Sequence, residues 1–180
     1  MATIFTRKAR LSDLDSVMAI IDEAKKFIRE SGNTQWQEGY PNHQTITDDI
    51  NSGHSYVLVV DGEIAGTSAL IVGEDPAHTR IDHGEWHDTE NPYATIHRIA
   101  LASKFRGQHL SDYFLSDLIT LAQVQGIHNV RMDTSRKNIP LQKIAERFGF
   151  KHRGQTYVDA ANDQNDQKRM AFELNLLKLK

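Results

Sequence analysis

The run Ile96-His97-Arg98-Ile99-Ala100-Leu101 reads as a strand, and it enters a basic turn, Ser103-Lys104-Phe105-Arg106-Gly107, that opens at once into a helix beginning near Leu110-Ser111. That order suits anion binding. The first N–H groups of a helix have no partner inside it, and the helix dipole puts positive charge at the same end. Arg106 adds a fixed cation, so the turn is a candidate phosphate site; the competing reading is a plain strand-to-helix turn. His97 offers a second chemistry, because imidazole titrates near neutral pH and can take a proton from a nucleophile. The alternative for His97 is a strand histidine satisfied by a polar neighbour.

A second segment, Asn138-Ile-Pro-Leu-Gln-Lys-Ile-Ala-Glu-Arg-Phe-Gly-Phe150, follows at a fixed distance. Taken together, Arg106-Gly107-Gln108-His109-Leu110-Ser111 resembles the acetyl-CoA pyrophosphate loop of the GNAT superfamily of N-acetyltransferases, usually Arg/Gln-x-x-Gly-x-Gly/Ala. The Asn138 to Phe150 segment resembles that family's second signature. With the opening strand and long first helix, the resemblance covers nearly the whole chain. Gln35-Trp36, Gly39-Tyr40-Pro41, His97-Arg98 and Asp133-Thr134 further resemble a bacterial branch of the superfamily.

The resemblance implies acetyl-CoA as cosubstrate, no metal, and acetyl transfer to a primary amine by direct attack in a ternary complex. It implies that Arg106, Gly107, Gln108, His109, Leu110 and Ser111 hold the pyrophosphate. Main-chain groups of Ile99 and Leu101 would pair with the pantetheine arm, the N–H of Leu101 or a neighbour serving the oxyanion. Asn138 would hydrogen-bond the same arm or cap its helix. His97 falls where relatives often carry a Glu that faces the acceptor. Three positions depart from the pattern. His109 stands where Gly is usual, and is expected to keep a negative φ with its ring turned outward. Ser111 replaces Gly or Ala. Ala145 stands where a Tyr often protonates the departing thiolate, leaving Tyr113 and Tyr157 as substitutes, each with an ordinary structural alternative. Without any acid, a thiol with pKa near ~8.5 is still a fair leaving group. Trp36, Tyr40 and Trp86, aromatics on loops, are the expected acceptor pocket.

Around these residues the sequence predicts strands at Ile4 to Lys8, Ser55 to Val60, Glu63 to Val72, Tyr93 to Leu101, Val130 to Thr134, Lys151 to Val158 and Lys168 to Leu176. Asp61-Gly62 is a two-residue hairpin turn between the second and third. Leu14, Val17, Met18, Ile21 and Ile28 give a long amphipathic helix ending near Ser31-Gly32. Further helices are expected at Ile46 to Asn51, from Leu110 to near Gly126, and around Leu141 to Phe148 before Gly149. This order indicates an α/β fold. The family's version is a mixed, centrally splayed sheet flanked by helices, here one N-acetyltransferase domain over residues 1–180.

Composition narrows the function. Hydrophobic residues make up 39% of the 180 and charged residues 25%, with a formal net charge of −3. Nothing tracks a nucleic-acid backbone, and no apolar run approaches the ~20 residues of a membrane span. Cysteine is absent, which excludes disulfides, thiolate metal sites and cysteine nucleophiles. Met1 to Arg10 has no apolar signal core, so a cytoplasmic protein is expected. His83 and His87 have i, i+4 spacing, but Gly84 and its neighbours do not read as helical and no metal site is expected. Residues 73–92 form a long loop of the kind that is functional or mobile. Its Asp82, Glu85, Asp88 and Glu90 either attract a cationic amine or form a solvated surface. The acceptor is a small-molecule amine or a protein amine, and the family's habit of dimerising implies a homodimer. A non-catalytic acyl-CoA sensor or interaction module of the same fold is the alternative.

Overall fold

The computed structural model describes residues 2–159, 163–164 and 166–178. Seven strands form one open sheet: β1 (Ile4–Lys8), β2 (Ser55–Val60), β3 (Glu63–Val72), β4 (Tyr93–Leu101), β5 (Asn129–Thr134), β6 (Lys151–Tyr157) and β7 (Lys168–Asn175), in the order β1-β2-β3-β4-β5-β7-β6. Four helices accompany it: α1 (Leu14–Glu30), α2 (His43–Asn51), α3 (Leu110–Val124) and α4 (Ile139–Arg147). β2 shows how the layers arise. Its side chains alternate faces: Tyr56, Leu58 and Val60 join a core with Phe114, Leu118 and Ala145 of α3 and α4, while Val57 and Val59 join Val17, Ile21 and Ile46 of α1 and α2.

The element boundaries follow from local chemistry. α2 begins three residues earlier than its apolar spacing predicts, because Asn42 caps it, accepting from the Thr45 N–H at 2.9 Å. α4 likewise begins at Ile139, with Asn138 accepting from the Leu141 N–H at 3.4 Å and Pro140 in the first turn.

Two irregularities create the site. β4 and β5 are parallel neighbours, but they pair only over Tyr93–Thr95 and Asn129–Arg131. Beyond that the strands part. In addition, β3 opposes β4 with a bulge between Thr67/Ala100 and Ala69/His97, and Arg98 within it takes φ 53°. Such a bulge re-aims the side chains it carries.

The loop over residues 73–92 is tied down. Trp86 is buried, its Nε1–H donating to the His78 carbonyl at 3.0 Å, and the Arg131 guanidinium stacks on the Trp86 and Tyr93 rings at 4.1 and 3.8 Å. Glu173 of β7, itself buried, accepts from the His87 N–H at 2.7 Å. Among the described residues no helix is long and apolar enough to cross a membrane.

Candidate active site

A cavity of about 640 Å³ runs from the gap between β4 and β5 to the start of α3. Its floor is β4 from Ile96 to Leu101. The Ala102 N–H donates to the Ala65 carbonyl at 2.9 Å, on the β3 side. Backbone groups alternate along a strand, so those of Leu101 point to the other edge, where β5 has diverged, and Ile99 follows within the bulge. That edge is open to an extended ligand.

At one end, Arg106, Gly107 and Ser111 line the cavity. The Arg106 guanidinium lies 4.5 Å over the Phe27 ring of α1, which sets its plane. Gly107 takes φ 78°, with free space where a Cβ would be. His109, contrary to the expectation of negative φ, is also left-handed, at φ 58° and ψ 16°. The chain needs that conformation to turn into α3, and His is among the side chains that adopt it more readily than most. Gln108 folds back to donate to the Lys104 carbonyl at 3.1 Å. Neither Gln108 nor His109 lines the cavity, and Leu110 is a core side chain. None of these three side chains faces the cavity.

At the other end, β4 presents His97. Its Nε2 lies 2.5 Å from Asp75 Oδ2. Asp75 is fixed in turn: its N–H donates to the Tyr93 hydroxyl at 2.8 Å and its Oδ1 accepts from the Ala77 N–H at 2.9 Å. Burial alone would push the Asp75 carboxyl up. The His97 hydrogen bond and the charges of His97 and His78 outweigh it and hold the group well below the ordinary carboxylate range. Asp75 is therefore ionised at neutral pH, and the His97 nitrogen left for other chemistry is Nδ1. A second pair lies alongside, His78 Nε2 at 2.9 Å from Asp133 Oδ2, with the two imidazole centroids 6.2 Å apart. Asp133 is also held low, the His78 bond reversing the effect of its burial.

Arg98 turns the opposite way. It forms a bidentate pair with Asp49 of α2, at 2.9 and 2.8 Å, and donates to the Tyr40 hydroxyl at 2.6 Å. Burial raises the Tyr40 phenol, with Arg98 working against it, so the hydroxyl remains protonated at the cavity wall.

The acetyltransferase (GNAT) family model matches residues 19–150, most of the chain, and takes in most of α1, the β4–α3 turn and α4. The chain belongs to the GNAT acetyltransferase family. A GNAT-family acetyltransferase from Streptococcus agalactiae is 33% identical, with a TM-score of 0.85 over 96% of this chain and 95% of its own. One from Listeria monocytogenes is 20% identical, with a TM-score of 0.73 over 96% and 95%. The ribosomal-protein-S18-alanine N-acetyltransferase of Escherichia coli shares the fold at 15% identity, with a TM-score of 0.64 over 98% and 94%. No curated protein matches the chain significantly.

Membership in the GNAT family implies acetyl-CoA-dependent acetyl transfer, and the residues present fit that cosubstrate. The open β4 edge, the glycine with room beside it and the cation at the start of α3 lie along one cavity. Asn138 lines it while also capping α4, so both of its expected roles are compatible. Trp36 and Tyr40 line it too.

Other expected residues lie elsewhere. Trp86 is outside the cavity, claimed by Arg131 of β5, a buried cation that its loop position did not reveal. Tyr113 is 55% exposed on α3. The Tyr157 hydroxyl donates to Asp82 at 2.8 Å, away from the cavity. Ala145 faces the core, and α4 offers the cavity Leu141 and Ile144 instead. Asp82, Glu85, Asp88 and Glu90 do not line it; Asp82 pairs with Arg80 and Asp88 accepts from the Asn91 N–H. Among the described residues no group of three or more His, Asp or Glu is placed to hold a metal. Sequence reasoning missed Asp75, Asp133 and Asp49. The one available signal was Arg98, a charge in the middle of a strand whose neighbours are apolar.

The left-handed His109 carries a prediction. The left-handed region costs a non-glycine residue about 1–2 kcal/mol, offset in part by glycine's greater unfolded-state freedom. His109→Gly is thus expected to raise stability by roughly 0.5 kcal/mol in denaturant titration and to leave acetyl-CoA affinity unchanged or tighter. A large loss of affinity would mean that the ring itself touches the coenzyme.

Proposed function

We propose that the protein is a single-domain N-acetyltransferase that moves an acetyl group from acetyl-CoA to a primary amine by direct attack in a ternary complex. The observation that carries this reading is His97, buttressed by Asp75 at 2.5 Å, on the bulged floor of a cavity that continues to Arg106 and Gly107. Acetyl-CoA supplies an activated acyl carbon. His97 takes a proton from the amine, through Nδ1 or a water, and ionised Asp75 steadies the cation that results. The Leu101 N–H donates to the carbonyl oxygen as it gains negative charge. Arg106, Gly107, the first-turn N–H groups of α3 and Ser111 hold the pyrophosphate. Trp36 and Tyr40 border the acceptor. Since α4 turns only Asn138, Pro140, Leu141 and Ile144 toward the cavity with Lys137 at its edge, the thiolate leaves without a hydroxyl acid from that helix.

The direct test is release of free thiol from acetyl-CoA in the presence of amines. Coenzyme binding without amine-dependent thiol release would make the protein a sensor, and absence of binding would make it an interaction module. Arg106→Ala is expected to weaken acetyl-CoA by about 1.5–3 kcal/mol in calorimetry, the range for a hydrogen bond to a charged group. Unchanged affinity would move the phosphate site elsewhere.

A further inference from the structure

Among the described residues, two buried acceptor atoms on the cavity wall have no donor. Asp163, shortly before β7, is 1% exposed. Its Oδ2 accepts from the Trp36 N–H at 3.0 Å and from Arg169 Nη2 at 2.7 Å, while Oδ1 is buried with no hydrogen-bond partner. Gln35, 7% exposed, leaves Oε1 in the same condition. Both residues line the same cavity as His97. A buried carboxylate oxygen without a partner calls for an explanation, and a ligand donor supplied from the cavity is one.

The charges nearby say what kind of donor. Arg169 is surrounded by Asp163 at 2.7 Å, Asp166 at 3.0 Å and Asp133 at 3.8 Å. Three carboxylates face one guanidinium, and His78 on Asp133 can answer at most one more. The cluster around Arg169 keeps an excess negative charge. Arg169 Nη1 makes no directed hydrogen bond but lies 3.0 Å from Asp166 Oδ2, so the guanidinium is held within its own carboxylates; a substrate carboxylate meets repulsion here and a cation meets attraction.

We propose that the acceptor carries a second, non-reacting ammonium group that seats against Asp163 Oδ1 and Gln35 Oε1 while its reacting amine faces His97. The substrate class is a diamine or longer polyamine. This deepens the transferase reading, on which it rests for the identity of the reacting amine.

The test is calorimetry on the full chain saturated with free CoA, using 1,4-diaminobutane, 1-aminobutane and 4-aminobutanoate. The diamine is expected to bind at least about tenfold tighter than the monoamine, the gain of one charge-assisted hydrogen bond. Asp163→Asn is expected to shrink that preference to within about threefold. Gln35→Leu, which leaves the Trp36 and Arg169 contacts of Asp163 intact, should lower it at least about threefold and serves if the first variant fails to fold, as coenzyme affinity will report. Equal binding of diamine and monoamine, preference for 4-aminobutanoate, or no binding of any of the three overturns the proposal. A diamine preference without thiol release from acetyl-CoA would sink the transferase reading and leave the cation site standing.

Discussion

Replacing His97 with Ala is expected to lower kcat/KM for acetyl transfer by about 10²–10⁴, the usual contribution of a positioned general base. The loss should appear mainly in kcat, because Arg106 and Gly107, the proposed coenzyme contacts, lie on the other half of the cavity. Asp75→Asn is the informative companion. It keeps the shape of the pair and one hydrogen bond but removes the charge that stabilises a protonated His97. kcat/KM should fall at least about tenfold with coenzyme affinity unchanged, since nothing then steadies the imidazolium formed as the amine gives up its proton. A merely structural Asp75 would change stability and leave kcat/KM in place. His97→Ala within a factor of two of wild type would show that the imidazole only fills the strand, and the base would have to be sought among waters or the amine substrate itself.

The second large effect concerns stability. Asp49→Ala is expected to cost about 3–5 kcal/mol, because it strands the Arg98 guanidinium in the interior with only the Tyr40 hydroxyl for company. For a chain of this size that corresponds to a fall in Tm of roughly 10 °C. The cost comes from breaking the pair rather than from any large net gain in having it. The double variant Asp49→Leu/Arg98→Met should therefore recover most of the loss. It would also test what the pair does for function. The left-handed backbone of Arg98 and the bulge around it turn neighbouring side chains to opposite sides, so a repacked bulge could be stable and still hold His97 in the wrong place. A single-mutant cost below ~1 kcal/mol would mean that Arg98 swings out to water when its partner is lost.

Much of this molecule is legible along the chain. Strand and helix placement follows from composition and period: the β-rich run Ser55 to Val60, the Asp61-Gly62 turn, the i, i+3, i+4 spacing of Leu14 to Ile28. The turn proposed to hold the coenzyme is legible because it is local, a strand, a cation, a glycine and a helix start within a dozen residues. His97 was within reach for the same reason. The conformation of His109 was not, because the demand for left-handed backbone comes from the angle at which α3 leaves the turn.

The proposed acceptor end had to wait for the tertiary structure. Beside His97 of β4, its carboxylates come from the loop after β3, from β5 and from the segment before β7: Asp75, Asp133 and Asp163. They are far apart in sequence, and a lone Asp in a polar loop carries no mark of burial. What makes Asp75 and Asp163 special is that folding removes them from water and places a single imidazole or guanidinium beside each. The same process misdirects simple reasoning about Trp86, whose loop suggested a pocket while Arg131 offered it a buried partner. Periodicity and local turns determine the fold and the coenzyme loop, since those interactions span few residues. Burial and long-range pairing decide the acceptor site, because desolvation and charge neighbourhood exist only once the sheet has closed around them.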